Sequence, residues 1–336
     1  MEKTIFVVDD SLSNLSLAEE ALEKYYRVIT LSSAEKMYAT LDKLTPDLIL
    51  LDIAMPDESG FDAMKKLKAN ERHAEIPVIF LTALTDTFNE ALGIELGAVD
   101  FITKPFSEPV LLNRVRNHIQ IDKIIRERTA QLTNLKNSIV LTMSSIVESR
   151  DDNTEGHVER TKVHVKTLLD SMMSHGVYRN ELNSWDFDSF ASAACLHDVG
   201  KIHVPKSILN KSDSLTDDEF EVVKTHTLEG EKIIYQMIKQ TGEAEFLHNA
   251  KLVAVYHHER WDGTGYPYGL KEQDIPLPGR IMAIVDVYDA LVSDRPYRKA
   301  MSHEKAVEII IKEAGTHFDP LIVDAFADVS HQFRLG

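Results

Sequence analysis

Residues 4–9, TIFVVD, form a short apolar run that ends in an acid. The same pattern returns at 48–52, LILLD, and at 77–82, PVIFLT, with weaker apolar runs at 27–31 and 99–102. Stretches of mixed polarity and helical length separate these runs. Apolar runs that alternate with helices are typical of a parallel sheet covered on both faces. The pattern therefore predicts a doubly wound α/β domain with five parallel strands.

Acidic, hydroxyl and basic residues lie at the predicted carboxyl ends of these strands. They are Asp9, Asp10, Asp52, Thr82 and Lys104. Functional groups of doubly wound sheets gather at this edge. We therefore expect these five side chains to lie near one another.

This region, roughly residues 1–122, resembles the receiver domain of two-component response regulators. The resemblance is carried by Asp9-Asp10, Asp52 with Met55-Pro56 and Gly60, Thr82-Ala83 and Lys104-Pro105. It implies that Asp52 is the phosphoacceptor, a carboxylate nucleophile that takes a phosphoryl group from a cognate sensor histidine kinase. It also implies that Asp9, Asp10 and Asp52 hold Mg²⁺, which prefers oxygen ligands.

The same resemblance implies roles for three further receiver residues. Thr82 and Lys104 would contact the phosphoryl oxygens, and Phe101 lies where the family carries an aromatic switch residue. The Lys104–Pro105 peptide bond is expected to be cis, a state found almost only before proline.

Residues 123–150 are expected to form a helical linker that continues the last receiver helix. From Ser107 to about Arg150 there is no glycine, and no proline after Pro109. Apolar residues follow a 3-4 spacing, with Thr142 in the seam: Leu132, Leu135, Ile139 and Ile146. Two interpretations stay open, a short coiled coil that makes a homodimer and a helix that packs on its own chain. In the dimer, phosphorylation could change the helix register or the angle between subunits.

Residues 151–336 carry seven imidazole and carboxylate side chains that are far apart in sequence. They are His157, His197, Asp198, His226, His257, His258 and Asp286. Neutral imidazole and carboxylate oxygen suit iron, manganese, zinc or nickel, and a carboxylate can bridge two ions. A dinuclear site generates hydroxide at neutral pH and holds a phosphate for in-line attack. The set therefore predicts hydrolysis of a phosphate ester, provided that the fold gathers these residues.

Most of this second region is predicted to be helical. Apolar residues recur at helical spacing in six stretches: 161–173, 190–197, 219–238, 246–257, 281–292 and 303–312. Thr216 and Glu219 form a capping-box pattern. Proline, glycine and aromatic residues cluster at 261–279, which predicts a loop directly after His257-His258.

The second region resembles the HD-GYP branch of the all-α HD-superfamily phosphodiesterases. The resemblance is carried by Arg150-Asp151 to His157 with Arg160-Thr161, LHDVGK (196–201), KTHTLEG (224–230), HHERWDGTGYP (257–267), RIMAIVDVYDAL (280–291), SDRPYR (293–298) and GTHFDP (315–320). It implies hydrolysis of cyclic di-GMP to the linear product pGpG, and in some members on to GMP.

The resemblance also implies how the ligands divide between two divalent transition metals. His157, His197, Asp198 and Asp286 would bind one ion, and Asp198 would bridge to a second ion held by His226, His257 and His258. Iron or manganese is favoured, with zinc and nickel left open. Some members carry a glutamate for a third metal four residues before the first histidine. That position is Asn153 here, so two metals are expected.

Five more residues are assigned to catalysis or substrate binding. Lys201, three residues after Asp198, would neutralise a phosphate oxygen or protonate the leaving 3′-oxygen. Asp289, one turn after Asp286, is a weaker candidate for proton transfer. Arg295 and Arg298 match ligand-contacting positions of the family, and Tyr266 either faces a guanine or only packs its loop.

Composition limits the classes of partner. The chain has 336 residues and a net charge of −17, which argues against a DNA-reading output domain and against an anionic membrane surface. The only cysteine is Cys195, so no intrachain disulfide can form, which fits a reducing cytosol. No signal-peptide pattern and no run of about 18 apolar residues occur, so a cytoplasmic protein is expected.

The leading hypothesis is a response regulator that hydrolyses cyclic di-GMP at a dinuclear metal site under control of Asp52 phosphorylation. One alternative substrate is another cyclic dinucleotide, such as cyclic GMP-AMP. A second alternative is a module of low turnover that binds cyclic di-GMP or docks a protein partner, for example a diguanylate cyclase.

Overall fold

The computed structural model describes residues 3–70, 72–83, 92–150, 156–211, 213–242, 244–294 and 299–334. The chain divides into two compact units, Met1–Gln131 and Leu132–Gly336. The domain bounds expected from the sequence, 1–122, 123–150 and 151–336, stay a prediction.

The first unit is built on a parallel sheet. Its strands are β1 (Thr4–Val8), β2 (Arg27–Leu31), β3 (Leu48–Asp52), β4 (Val78–Thr82) and β5 (Asp100–Thr103). They lie in the order β2-β1-β3-β4-β5, and all neighbouring pairs are parallel. This confirms the five-stranded doubly wound sheet that the apolar runs predict.

Apolar cores on both faces of the sheet explain why the strands read as continuous apolar runs. Every residue of β1, β3 and β4 is buried. Alternate residues of β1 enter different cores. Phe6 and Val8 pack in the core on one face of the sheet, and Ile5 and Val7 pack in the core on the other. Before the long helix this unit contains α1 (Leu12–Leu22), α2 (Ala34–Leu41) and α3 (Gly60–Ala69), and residues 92–95 are also helical.

One continuous helix, α4 (Glu108–Glu148), confirms the long helix predicted from the lack of glycine and proline. Its last turns belong to the second unit and pack within it, because Val140 and Val147 are buried in a core of that unit and the Ser144 hydroxyl donates to the Cys195 carbonyl at 2.7 Å. The predicted apolar seam lies elsewhere on the helix. Its exposed fractions are 66% for Leu132, 57% for Leu135, 50% for Ile139 and 55% for Ile146. The helix therefore packs on its own chain and still leaves the seam open.

The second unit is helical, as predicted. Its α-helices after α4 are α5 (His157–His175), α6 (Arg179–Leu182), α7 (Phe187–Ala194), α8 (Lys206–Leu209), α9 (Asp217–Lys224), α10 (His226–Thr241), α11 (Glu245–Tyr256), α12 (Leu277–Val292), α13 (His303–Lys312) and α14 (Pro320–Phe333). Short 3₁₀ helices span Val199–His203 and Glu272–Asp274. The capping box of Thr216 and Glu219 is confirmed at the start of α9.

Helix α12 lies at the centre of the main core of this unit, against α5, α11, α13 and α14. Twelve of its sixteen residues are buried. A charged group in such a helix needs partners, since an unpaired buried charge is strongly unfavourable. Arg280 meets this need by donating to Asp319 at 2.7 Å and to the Ile275 carbonyl at 2.8 Å. The acids Asp286 and Asp289 lie further along the same helix. No helix in the described ranges is both long and apolar enough to span a membrane.

Candidate metal centre and receiver site

The fold brings the predicted metal ligands from separate helices to one place, mostly at helix ends. His157 and His226 are the first residues of α5 and α10, and His197-Asp198 lie in the turn after α7. His257-His258 follow α11 directly, and Asp286 lies within α12. Ligands at helix ends can converge from different directions without bending a helix.

Two clusters of ligand atoms form, with the atoms of each cluster within 4.8 Å of one another: His157, His197 and Asp198, and His226, His257 and His258. Asp198 joins them. Its Oδ2 lies 3.3 Å from His197 Nε2, and its Oδ1 lies 3.4 Å from His226 Nε2. One carboxylate therefore faces both clusters, one oxygen to each.

Asp286 completes the first cluster. Its Oδ1 lies 4.0 Å from His157 Nε2 and 3.9 Å from His197 Nε2. The structure thus brings all seven side chains predicted as metal ligands to one centre.

Backbone carbonyls set the tautomers of three of these histidines. A carbonyl can only accept, so the Nδ1 atom that faces it must carry the proton, which in the neutral imidazole leaves Nε2 bare and aimed at the centre. The Nδ1–O distances are 3.0 Å for His197 to Ala194, 2.7 Å for His226 to Val223 and 2.9 Å for His257 to Val253. Burial also lowers the pKa of His257 to about 3, which favours the neutral imidazole that binds metal.

The resulting arrangement of acceptors fits divalent cations. His226 Nε2 and His257 Nε2 are 3.4 Å apart, so two bare lone pairs face each other. Among the described residues, nothing donates a hydrogen bond to the buried Asp198 Oδ1. Converging acceptors without a donor are unfavourable unless a cation lies between them. Imidazole and carboxylate at such a centre are suitable ligands for transition metals.

Asp289 lies behind the centre and holds His157. Its Oδ2 accepts from His157 Nδ1 at 2.7 Å, and its Oδ1 accepts from Arg160 Nε at 2.5 Å. Burial alone would raise the pKa of Asp289, but hydrogen bonds from His157 and Arg160 hold it well below the usual range. These contacts favour a positioning role, and the proton transfer expected from the sequence stays a prediction. The sequence did not predict that Arg160 pairs with Asp289, because the two residues are far apart in the chain.

Lys201 lies on the 3₁₀ helix after the HD pair, with Nζ 2.7 Å from Asp198 Oδ2 and its side chain largely buried. The neighbouring Gly200 lets this helix approach α10 closely. A Cβ at position 200 would lie 2.9 Å from the carbonyl carbon of His226, a distance that side chains essentially never adopt. The glycine thus allows the two ligand clusters to meet.

The loop after His258 lies against the second cluster. The Tyr266 ring centroid is 4.8 Å from that of His258, and the Tyr266 amide donates to the His258 carbonyl at 3.2 Å. The buried Glu259 holds the loop by accepting from the amides of Tyr268 at 2.8 Å and Leu270 at 3.0 Å. Glu259 was missed, because nothing in its spacing separates it from a surface acid. The predicted ligand contacts Arg295 and Arg298, and Asn153, lie outside the described residues.

Glu148, the last residue of α4, was also missed. Its Oε1 accepts from the amide of Val158 at 2.9 Å, next to the candidate ligand His157. It lines a small cavity together with His157, His197 and Lys201. Burial raises the pKa of Glu148. An acidic side chain from the long helix therefore supports the start of α5.

The receiver residues converge at the carboxyl edge of the sheet in the first unit. Strands β1 and β3 are neighbours, so Asp9, Asp10 and Asp52 place carboxylate oxygens within 4.8 Å of one another, a set that suits Mg²⁺. Lys104 Nζ lies 2.6 Å from Asp9 Oδ2 and 2.7 Å from Asp52 Oδ1.

The two other receiver positions lie on the neighbouring strands. Thr82 is buried at the end of β4 and pairs with Thr103, the residue before Lys104. Phe101 in β5 stacks on Phe80, with ring centroids 5.6 Å apart. The Lys104–Pro105 peptide bond is cis, which confirms that expectation.

Two family models match this chain, one in each of the two units. The family model for the response regulator receiver domain matches residues 5–116, and that for the HD domain matches residues 141–322. The chain therefore belongs to the response regulators in which a receiver domain is followed by an HD domain.

Several relatives are named for an activity. A "Probable cyclic di-GMP phosphodiesterase" of Vibrio cholerae serotype O1 is 40% identical over 338 residues, covering 96% of this chain and 77% of that protein. The "Cyclic di-GMP phosphodiesterase response regulator RpfG" of Xanthomonas campestris pv. campestris is 31% identical and covers 96% of this chain and 86% of that protein. A "3'3'-cGAMP-specific phosphodiesterase 2" of Vibrio cholerae is 33% identical but covers 58% of this chain and 35% of that protein.

We expect Asp289→Asn to weaken metal binding by about 10–100-fold, because His157 loses the carboxylate that orients its ring. The measurement is competition of the purified chain with a chelator for Mn²⁺. Asp324→Asn, an exposed acid on α14, is the control and should leave the affinity unchanged. Equal Mn²⁺ affinity in the two variants, with both folded, would show that Asp289 does not position the ligand.

Proposed function

We propose that this chain hydrolyses cyclic di-GMP to pGpG at a dinuclear metal centre, under control of phosphorylation at Asp52. The observation that carries the proposal is the pair of ligand clusters shared by Asp198. It is supported by relatives that match almost the whole chain and are named for this activity.

The first metal would be held by His157, His197, Asp198 and Asp286, and the second by Asp198, His226, His257 and His258. Iron or manganese is the favoured pair, since the ligands are nitrogen and oxygen with no thiolate among them. When bound, the two ions would supply hydroxide at neutral pH and would neutralise charge on the phosphate.

The chain's own residues bind and orient the diester. The Lys201 ammonium, beside Asp198, neutralises a phosphate oxygen or donates a proton to the leaving 3′-oxygen. Asp289 keeps His157 in its ligand orientation. The net charge of −17 repels an anionic substrate, so local cations must provide its capture. Arg295 and Arg298 are proposed for that role, together with Lys201.

Control is proposed to begin at the receiver site. In the described state Lys104 bridges Asp9 and Asp52. A phosphoryl group on Asp52 adds charge and acceptor oxygens, so the pairing of Lys104 must change, with Mg²⁺ held by Asp9, Asp10 and Asp52. Thr82 would contact the new oxygens, and Phe101 would report the change. A sensor histidine kinase is the proposed phosphoryl source.

The low-turnover binding module, with a diguanylate cyclase as docking partner, is less well supported. A module that only binds needs no carboxylate shared by two imidazole clusters and no lysine beside it. Because one relative is named as a cGAMP-specific phosphodiesterase, cyclic GMP-AMP is the competing candidate substrate.

We expect metal-loaded protein to convert cyclic di-GMP to pGpG, and to prefer it over 3′3′-cyclic GMP-AMP when both are present at equal concentration. His197→Ala should lower the rate by at least about 100-fold, because it removes a ligand rather than a supporting group. His248→Ala, an exposed histidine on α11, is the control. Products are measured by liquid chromatography, for wild type and Asp52→Asn, with and without a phosphoryl donor. Absence of pGpG under all conditions, or full activity of His197→Ala, would contradict the proposal.

A homodimer through the seam of α4 is the second part of the proposal. Exposed residues repeat every seven positions at Ile125, Leu132, Ile139 and Ile146. Ile121 and Leu135 occupy the alternate seam position and are also exposed, by 51% and 57%. Heptad spacing of this kind suits a two-stranded coiled coil. A second copy of this chain, which offers the same stripe, is the proposed partner.

We expect Leu132→Glu combined with Ile139→Glu to halve the mass measured by light scattering, because the substitutions place like charges in the apolar seam. Thr133→Glu adds a charge at an exposed position beside the seam and should leave the mass unchanged. A wild-type monomer, or a dimer that survives both seam substitutions, would exclude this interface.

A further inference from the structure

An aromatic and cationic surface formed by Phe220, Lys224 and Tyr266 lies beside the second ligand cluster. We call these three residues the aromatic shelf. None of them is among the proposed metal ligands. Two of them, Phe220 and Lys224, belong to α9, which ends two residues before the ligand His226.

The shelf connects the centre to solvent through a series of ring contacts. The Tyr266 and His258 rings are 4.8 Å apart and tilted by 33°. Phe220 meets Tyr266 edge to face, with ring centroids 6.2 Å apart and an interplanar angle of 83°. Phe220 itself is 44% exposed. A large aromatic side chain thus lies open to solvent one ring away from a metal ligand.

Helix α9 is held in place by polar contacts rather than by a core. None of its residues is buried. Its start is fixed by the Thr216–Glu219 capping box and by an ion pair from Lys211 to Glu219 at 2.5 Å. Phe220 therefore contributes little to a hydrophobic core, and its placement needs another reason.

Lys224 adds a positive charge to the shelf. Its Nζ lies 4.8 Å from the centroid of the Phe220 ring and 5.6 Å from that of Tyr266. It also pairs with Glu221 on the same helix at 2.6 Å. A lysine ammonium between two rings can donate to an acceptor on a flat ligand that stacks there.

A guanine has the chemistry that this surface matches. Nucleobases stack on aromatic faces without regard to sequence. Guanine offers N7 and O6 as adjacent acceptors for a lysine, whereas adenine presents an amino donor in place of O6. We propose that Phe220 stacks a guanine of the substrate and that Lys224 selects it over adenine. This inference rests on the proposed function, since it names the base subsite of the same centre.

The stacking role is tested by direct binding rather than by turnover. Metal-loaded full-length chain is titrated in a calorimeter with GMP and with ribose 5-phosphate, which has the same sugar phosphate without the base. Phe220→Ala should lower the affinity for GMP about tenfold, because stacking on an aromatic side chain is lost. The affinity for ribose 5-phosphate should stay within about twofold of the wild-type value. Phe220→Trp should restore GMP binding.

The control is Tyr235→Ala. Tyr235 is 51% exposed, and Lys239 Nζ lies 4.6 Å from its ring centroid. It therefore resembles Phe220 in exposure and in having a lysine over its ring. It belongs to no proposed site. The stacking role would be overturned if Phe220→Ala leaves the affinity for GMP unchanged. It would also be overturned if the affinities for GMP and for ribose 5-phosphate fall by the same factor.

The selecting role is tested by the ratio of GMP to AMP affinity. Lys224→Met should bring this ratio close to one, mainly by weakening GMP, because the donor to O6 and N7 is removed. Lys232→Met is the matched control, since Lys232 pairs with Glu229 at 2.7 Å as Lys224 pairs with Glu221. An unchanged ratio in Lys224→Met would remove Lys224 from base recognition.

The two proposals can fail separately. If cyclic di-GMP is not hydrolysed but the GMP pattern holds, the base subsite stands and the proposed reaction is wrong. If cyclic di-GMP is hydrolysed and Phe220→Ala leaves KM unchanged, the reaction stands and the subsite is wrong.

Discussion

The second unit depends on one carboxylate that two histidine clusters share. Asp198 directs Oδ2 to His197 and Oδ1 to His226, at 3.3 Å and 3.4 Å from their Nε2 atoms. The surrounding elements allow the two clusters to come together at Asp198. Gly200 allows the 3₁₀ helix to approach the start of α10, and the buried α12 supplies Asp286 from the other side.

Such a centre links metal binding to stability. Bare imidazole nitrogens and carboxylate oxygens that converge in a buried place are unfavourable by themselves. Bound cations turn the same contacts into attractions, and binding to the folded state alone stabilises it. The surrounding hydrogen bonds fix the ring orientations in advance, through carbonyls at three histidines and through Asp289 at His157. The chain therefore holds a preorganised set of candidate ligands rather than a loose group of polar residues.

Local sequence patterns were sufficient for the architecture, and they singled out the seven side chains that the fold brings together. The apolar run LILLD predicts a strand buried on both faces, and the pair His197-Asp198 predicts two ligands from one turn. What sequence could not provide is contacts between distant residues. The contacts of Asp289 with His157 and Arg160, for example, are visible only in the structure. Phe220 looks like an ordinary apolar position of a short helix until Tyr266 and His258 are found beside it.

The most direct test of this account is anomalous diffraction from crystals of anaerobically purified protein, recorded at the absorption edges of iron and manganese. We expect two peaks in the second unit, one within bonding distance of each Asp198 oxygen. A single peak, or two ions that do not share Asp198, would contradict it.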